Sequence, residues 1–271
     1  MTKIPIFPLR SVLCPGVALP LHIFEERYRL MIDRCIERDE PFGVVLLREG
    51  QEVGPLHGQV AAIGTTAAIR RAGTYADGRL DILTVGQQRF RLEGLDTESE
   101  PYLVGHVKLL DEPTGPEAEV HDRARRVGQR FLEYLELLQP DDDVDGPEIE
   151  IEFEIEVDSE KADGGDAPVD DRPVESTEGL DAADLSPEQR RELLMAAARR
   201  LTGTDDPTAL SYVLTALIQV DLSARQDLLE APDTVERLTR LDGLLSRESW
   251  FLKQGLRPII IDPSQPRGFR G

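Results

Sequence analysis

The densest group of side chains able to do chemistry is Phe24-Glu25-Glu26-Arg27-Tyr28. Two carboxylates, a guanidinium and two aromatic rings stand within five residues. Such groups recognise ligands well, because charged donors and acceptors give directional hydrogen bonds and rings give apolar area. In one reading, Glu25, Arg27 and the nearby backbone meet a bound peptide, with Phe24 and Tyr28 beside them. In the other, Phe24 and Tyr28 enter the core, and Glu25 and Arg27 form ion pairs to loops. The periodicity of the surrounding segment favours the second. Arg79 and Arg89 carry the same two readings: contact with a ligand, or ion pairs that tie the strands to Asp77 or Glu25.

Residues for catalysis are harder to find. A nucleotide-driven motor needs a phosphate-cradling loop of the form G-x-x-x-x-G-K-[ST]. The chain has no Gly-Lys pair, and its only lysines are Lys3, Lys108, Lys161 and Lys253. No G-x-S-x-G elbow and no G-x-G-x-x-G is present. His22, His57, His106 and His121 are scattered, with no pair at metal-ligand spacing, and Cys14 and Cys35 lie far apart in apolar contexts. The expectation is no catalytic residue, no metal and no cofactor. The two cysteines read as small buried hydrophobes rather than a disulfide.

The formal net charge of −21 is unevenly spread. Between Asp141 and Asp184 stand 19 acidic residues against Lys161 and Arg172, so this stretch alone carries −17. The rest carries −4. Phosphate contacts need local positive charge, so a nucleic-acid partner is not expected. No apolar run approaches the roughly 18 residues that a membrane span needs, so no membrane partner is expected. The opening Met1-Thr2-Lys3-Ile4-Pro5 lacks an apolar signal region. A reduced, cytoplasmic protein is the expectation.

The elements that must position these residues change in type along the chain. Residues 4–7 read as a short strand broken by Pro5 and Pro8, and Val17 to Leu19 as a second. His22 to Arg38 reads as a helix, with Phe24, Tyr28, Met31, Ile32 and Cys35 forming one apolar stripe. Phe42 to Leu47 reads as a buried strand. Val60 to Arg71 and Arg79 to Val85 read as a hairpin around Asp77-Gly78. Arg89 to Leu95 and Tyr102 to Leu110 add two more strands. This succession predicts a curled or barrel-like sheet. After Pro113 the period becomes helical, with Val120, Ala124, Val127, Phe131, Tyr134 and Leu138 on one face, until Pro140. Ser186-Pro187 and Asp206-Pro207 are helix starts, and Asp221 to Glu230 and Asp233 to Phe251 predict two further helices.

Several of these segments together resemble a known family. They are Ile4-Pro5-Ile6-Phe7-Pro8-Leu9-Arg10, Pro15-Gly16, the run from Leu19 to Tyr28, Phe42-Gly43-Val44-Val45-Leu46, Asp77-Gly78-Arg79 and Gly86-Gln87-Gln88-Arg89-Phe90-Arg91. In this order they resemble the N-terminal, substrate-binding domain of the Lon proteases. Arg225-Gln226-Asp227-Leu228-Leu229-Glu230, Arg237-Leu238 and the run from Leu244 to Glu248 resemble its helical part. The likeness covers nearly everything except residues 140–185 and the tail after about Gly255.

The resemblance implies an α+β protein. Residues 1–115 form a PUA-like β pseudobarrel with one early helix, and residues 116–255 form a C-terminal helical subdomain. An acidic insert at 140–185 interrupts the helices, and a Pro-rich tail occupies 256–271. No segment resembles the ATPase or protease domains, so the resemblance implies a stand-alone, non-enzymatic module. Its expected partners are unfolded or specific protein segments and the proteolysis machinery, with an adaptor or holdase role. Phe24, Glu25, Arg27, Tyr28, Arg79 and Arg89 are the peptide-binding candidates. The competing expectation is a small-molecule or modified-base binder, since PUA-like barrels also host such ligands.

The insert holds one regular feature. From Glu148 to Asp158 carboxylates and apolar residues alternate without a slip, which as a strand would put five apolar side chains on one face. Its neighbours have the composition of solvated linkers. A strand docked on a sheet edge and a linker that orders with a partner both fit; calcium capture by the carboxylate face fits less well, because one strand lacks the wrapped geometry calcium prefers.

Overall fold

A computed structural model describes residues 2–48, 59–139 and 187–256. The alternating segment 148–158, the rest of the acidic insert, the Ser186 cap and most of the Pro-rich tail lie outside the described residues.

Among the described residues, six strands and six helices make a mixed α+β structure. The strands are β1 (Thr2–Leu9), β2 (Ala18–Ile23), β3 (Phe42–Leu47), β4 (Val60–Thr74), β5 (Leu80–Asp96) and β6 (Leu103–Leu109). The helices are α1 (Glu26–Arg38), α2 (Glu117–Leu138), α3 (Pro187–Thr202), α4 (Pro207–Leu217), α5 (Leu222–Leu229) and α6 (Thr234–Lys253). The sheet order is β2-β5-β4-β3-β1-β6, and β6 also pairs with β5. Five strands therefore close on themselves, and β2 stands outside the ring against the first half of β5.

Several boundaries differ from those expected, three of them for a visible reason. β1 runs unbroken through Pro5 and Pro8. It pairs with β6 over Thr2–Ile6 and with β3 over Ile6–Leu9, so each proline sits where the strand has one recorded neighbour and its missing N–H is tolerated. β5 is one long strand rather than two. Gly86 carries it past the Cys14 carbonyl, where an added Cβ would lie 2.1 Å from the oxygen. Finally, α1 begins at Glu26 rather than His22, because Leu21, His22 and Ile23 continue β2 in register with Ile82, Asp81 and Leu80.

The shorter α1 buries Tyr28, Met31, Ile32 and Cys35 against Phe7, Phe42, Val44, Leu80 and Ile82. The barrel interior is filled by Ile4, Ile6, Val45, Phe90, Leu103 and Val107. A Cβ on Gly43 or Gly105 would fall 2.7 Å from Ile6 side-chain atoms. The helices make their own core from residues such as Val127, Phe131, Leu214, Leu238 and Leu241. Asp206, Asp221 and Asp233 cap α4, α5 and α6, each carboxylate accepting backbone N–H groups of the first turn.

Candidate functional site

The site is built where β2 lies on β5. Strand side chains alternate between faces, so Ile23 and Leu80 point inward while His22 and Asp81, cross-strand partners, point out. The β4–β5 turn brings a third residue. Gly78, at φ +82°, lets the chain reverse, and the Tyr75 N–H donates to the Arg79 carbonyl at 2.8 Å. Tyr75 thereby comes close to Asp81.

Two rings bond one carboxylate, and a third stacks on one of them. The His22 Nδ1 lies 2.5 Å from Asp81 Oδ1, and the Tyr75 hydroxyl donates to Asp81 Oδ2. The His22 ring stacks on Phe24 at 6.2 Å and meets Tyr75 edge-on at 6.1 Å. The Arg79 guanidinium lies 5.3 Å from the centre of the Tyr75 ring, and its Nε donates to Asp77 Oδ2 at 2.8 Å. Phe24 is 51% exposed and Tyr75 46% exposed. Large rings held this open to water do little for the core and form a surface patch.

The hydrogen bonds set the charge. The Tyr75 hydroxyl, then His22, hold the Asp81 carboxyl below the usual carboxylate range. The backbone N–H of Arg79, with its guanidinium, does the same for Asp77. The bond to Asp81 raises the Tyr75 phenol. The platform thus combines apolar ring faces with two carboxylates, of which only Asp77 is hydrogen-bonded to a guanidinium.

The six candidates from the sequence divide. Phe24 and Arg79 belong to this platform. Glu25 and Arg27 pair with each other at 3.0 Å beside it, at the start of α1. Tyr28 is 2% exposed, with its ring 4.2 Å from that of Phe7 and the Arg27 guanidinium 4.4 Å from its centre, so it is a core residue. The expectation that Phe24 shares this stripe is corrected: two residues before α1, it stands on the open side. Arg89 is buried elsewhere. His22, Tyr75 and Asp81 escaped the sequence reading. The Asp77-Gly78 turn was the available signal for Tyr75 and Asp81, which flank it, whereas His22 needed the register of β2 on β5.

Arg89 instead joins strands to helices. Its Nη1 donates to the carbonyls of Leu229 and Ala231, both at 2.7 Å, and its Nε to Glu112 at 2.7 Å. Glu112 also accepts the Tyr212 hydroxyl at 2.5 Å and lies 3.6 Å from Arg237. Arg237 is fully buried, stacked 3.8 Å over the Tyr212 ring, and donates to Leu228, Ser211 and Tyr212. The expected ion pair of Arg89 with Asp77 or Glu25 is therefore replaced by one with Glu112. Around it Val12, Cys14, Leu46, Ala61 and Ile63 pack on Tyr212 and Leu229.

Among the described residues no three His, Cys, Asp or Glu side chains converge as a metal site, and no helix is long and apolar enough to cross a membrane.

Residues 3–247 match the family model of the ATP-dependent protease La (Lon) substrate-binding domain. The Lon protease of Escherichia coli K12 is 26% identical over 247 residues, 91% of this chain and 25% of that protein. The Lon protease of Parabacteroides distasonis is 36% identical over 110 residues, 40% of this chain and 13% of that protein. The chain thus spans a quarter or less of these relatives' length. Among solved structures, the Lon N-terminal domain protein from Xanthomonas campestris aligns over 89% of this chain and 97% of its own, with a TM-score of 0.51 and 22% identity. The N-terminal domain of Mycobacterium avium complex Lon protease aligns over 90% and 98%, with a TM-score of 0.56 and 16% identity. At these identities the structures speak for the fold.

Proposed function

This chain belongs to the family of Lon substrate-binding domains, and from that premise we propose that it binds extended protein segments on the ring platform of His22, Phe24 and Tyr75 without performing chemistry on them. Its place in the cell would be that of an adaptor or holdase for proteolysis. The observation that carries this reading is the pair of half-exposed rings, Phe24 and Tyr75, held in place by hydrogen bonds and ring contacts around Asp81. Rigid aromatic side chains lose little entropy on contact and dominate the energetics of recognition surfaces. Among the described residues the barrel interior is packed with apolar side chains, among them Ile6, Phe90 and Val107.

The test is binding of reduced, carboxymethylated α-lactalbumin, which cannot fold, measured by fluorescence anisotropy. Wild type should bind it, and the double variant Phe24→Ala/Tyr75→Ala should lose at least tenfold in affinity with an unchanged circular dichroism spectrum and only a small fall in its melt. Equal affinity of the double variant would remove the platform from the binding surface. Suppression of client aggregation, assayed in parallel, would support the holdase role.

A further inference from the structure

We infer that the platform selects clients by a basic side chain, taking a Lys or Arg of the bound segment against Asp81 and the flanking rings. This rests on the peptide-binding reading above and adds the chemistry of the client to it.

The inference starts from an asymmetry between two neighbouring carboxylates. Asp77 is answered by a guanidinium, Arg79, at 2.8 Å. Asp81 bonds a phenol and an imidazole; among the described residues no Lys or Arg lies in ion-pair range of it, and Arg79 acts on it only through its longer-range field. Its side chain is half exposed, so a cation from solution can reach it. The rings beside it suit the same ligand. An aromatic face attracts a guanidinium or ammonium group through its quadrupole, and Arg79 already sits on Tyr75 in this manner. A carboxylate and exposed rings within one side chain's length form a receptor for a cation carried on an apolar stem.

The rest of the chain acts in the same direction. The formal net charge of −21, of which −17 lies in residues 141–184, is of the sign that attracts basic segments and repels acidic ones before contact. That long-range part is screened over about 8 Å at physiological salt, whereas direct contact with Asp81 persists better.

Three peptides of about 14 residues test this, identical in their Leu and Phe positions and carrying Arg, Gln or Glu at the remaining ones. Binding to the full chain is read by fluorescence anisotropy at 50 and 300 mM salt. The Arg peptide should bind about tenfold more tightly than the Gln peptide at the higher salt, a factor in the range of an ion pair with a cation–π contact. Asp81→Asn, which keeps an acceptor for Tyr75, should bring that ratio near one. Glu133→Gln, the same charge change on the exposed side of α2, should leave it intact. Equal binding of the Arg and Gln peptides overturns the inference while the peptide-binding reading stands. An Arg preference that survives Asp81→Asn also overturns it, since the charge selection then resides elsewhere. If none of the peptides and no unfolded protein binds, both readings fall together.

Discussion

Phe24 and Tyr28 stand four residues apart, yet one ring faces water and the other is packed against Phe7. The strand β2 holds the chain extended through Ile23, and α1 turns only from Glu26. Phe24→Ala should therefore change stability by no more than about 0.5 kcal/mol, as for a surface substitution. Tyr28→Ala should cost about 3–5 kcal/mol, the range for deleting a buried ring. Urea denaturation of the two variants measures both. A Phe24→Ala midpoint as low as that of Tyr28→Ala would return Phe24 to the core and take it off the platform.

The Glu112 carboxylate holds strands and helices together by accepting from Arg89 and Tyr212. Arg89 and Arg237 are both buried beside it. Removing one partner of a buried pair leaves a charge uncompensated, which typically costs about 3–5 kcal/mol. Glu112→Ala should lose about that much, and Glu112→Gln less, because the amide oxygen can still accept. Chemical denaturation checks the order. A Glu112→Ala melt that overlays wild type would show that the apolar contacts of Tyr212 and Leu229 hold the junction unaided.

Much of this fold was legible in the sequence, and what was not has a common cause. The strand at Phe42–Leu47, the turn at Asp77-Gly78 and the caps at Asp206, Asp221 and Asp233 depend on neighbours in the chain. Local patterns report them faithfully. Two of the three partners of Arg89 lie 140 and 142 residues away, and they are backbone carbonyls, which any residue could supply. No local pattern encodes them. The start of α1 failed for a related reason. Phe24, Tyr28 and Met31 fit a helical stripe, but the pairing of Leu21–Ile23 with β5 outweighs that local preference. His22 reached the site through this same pairing, so one non-local register accounts for both the misplaced boundary and the missed residue.

The cysteines give a test of the core from its chemistry. Burial pushes the Cys14 thiol up to about 12, against the pull of Arg225, Arg237 and Arg89. Burial, then Glu40, pushes Cys35 up to about 11. The thiolate is the reactive form, so neither thiol should react with Ellman's reagent at pH 8 in the native protein, and both should react in 8 M urea. These raised values also predict alkaline behaviour. The stability they contribute is complete below the ordinary thiol pKa and is lost as pH rises through the folded values. The denaturation midpoint should fall between about pH 9 and 12, and less steeply in Cys14→Ala. Rapid labelling of one thiol in the native state would place that cysteine at the surface.

The acid side is governed by carboxylates with the opposite shift. Asp96 closes the turn after β5, where it accepts the backbone N–H groups of Glu98 at 2.9 Å and Ser99 at 3.0 Å. Those bonds favour the charged form and hold its carboxyl at about 2. Asp77 and Asp81 are lowered as well. The unfolded chain takes up protons on these groups before the folded one does, so stability rises with pH through this window. Each contribution is fully present above the ordinary carboxylate pKa, near 3.9, and is lost as pH falls through the folded value. Asp96→Asn should then lower the urea midpoint at pH 7, with a difference that narrows as pH drops from about 4 to 2. Because the group is exposed, the effect should be small, and raising salt should shrink its electrostatic part. A gap between wild type and Asp96→Asn that stays constant down to pH 2 would mean that the Asp96 charge contributes nothing, and that the side chain acts in the turn by shape alone.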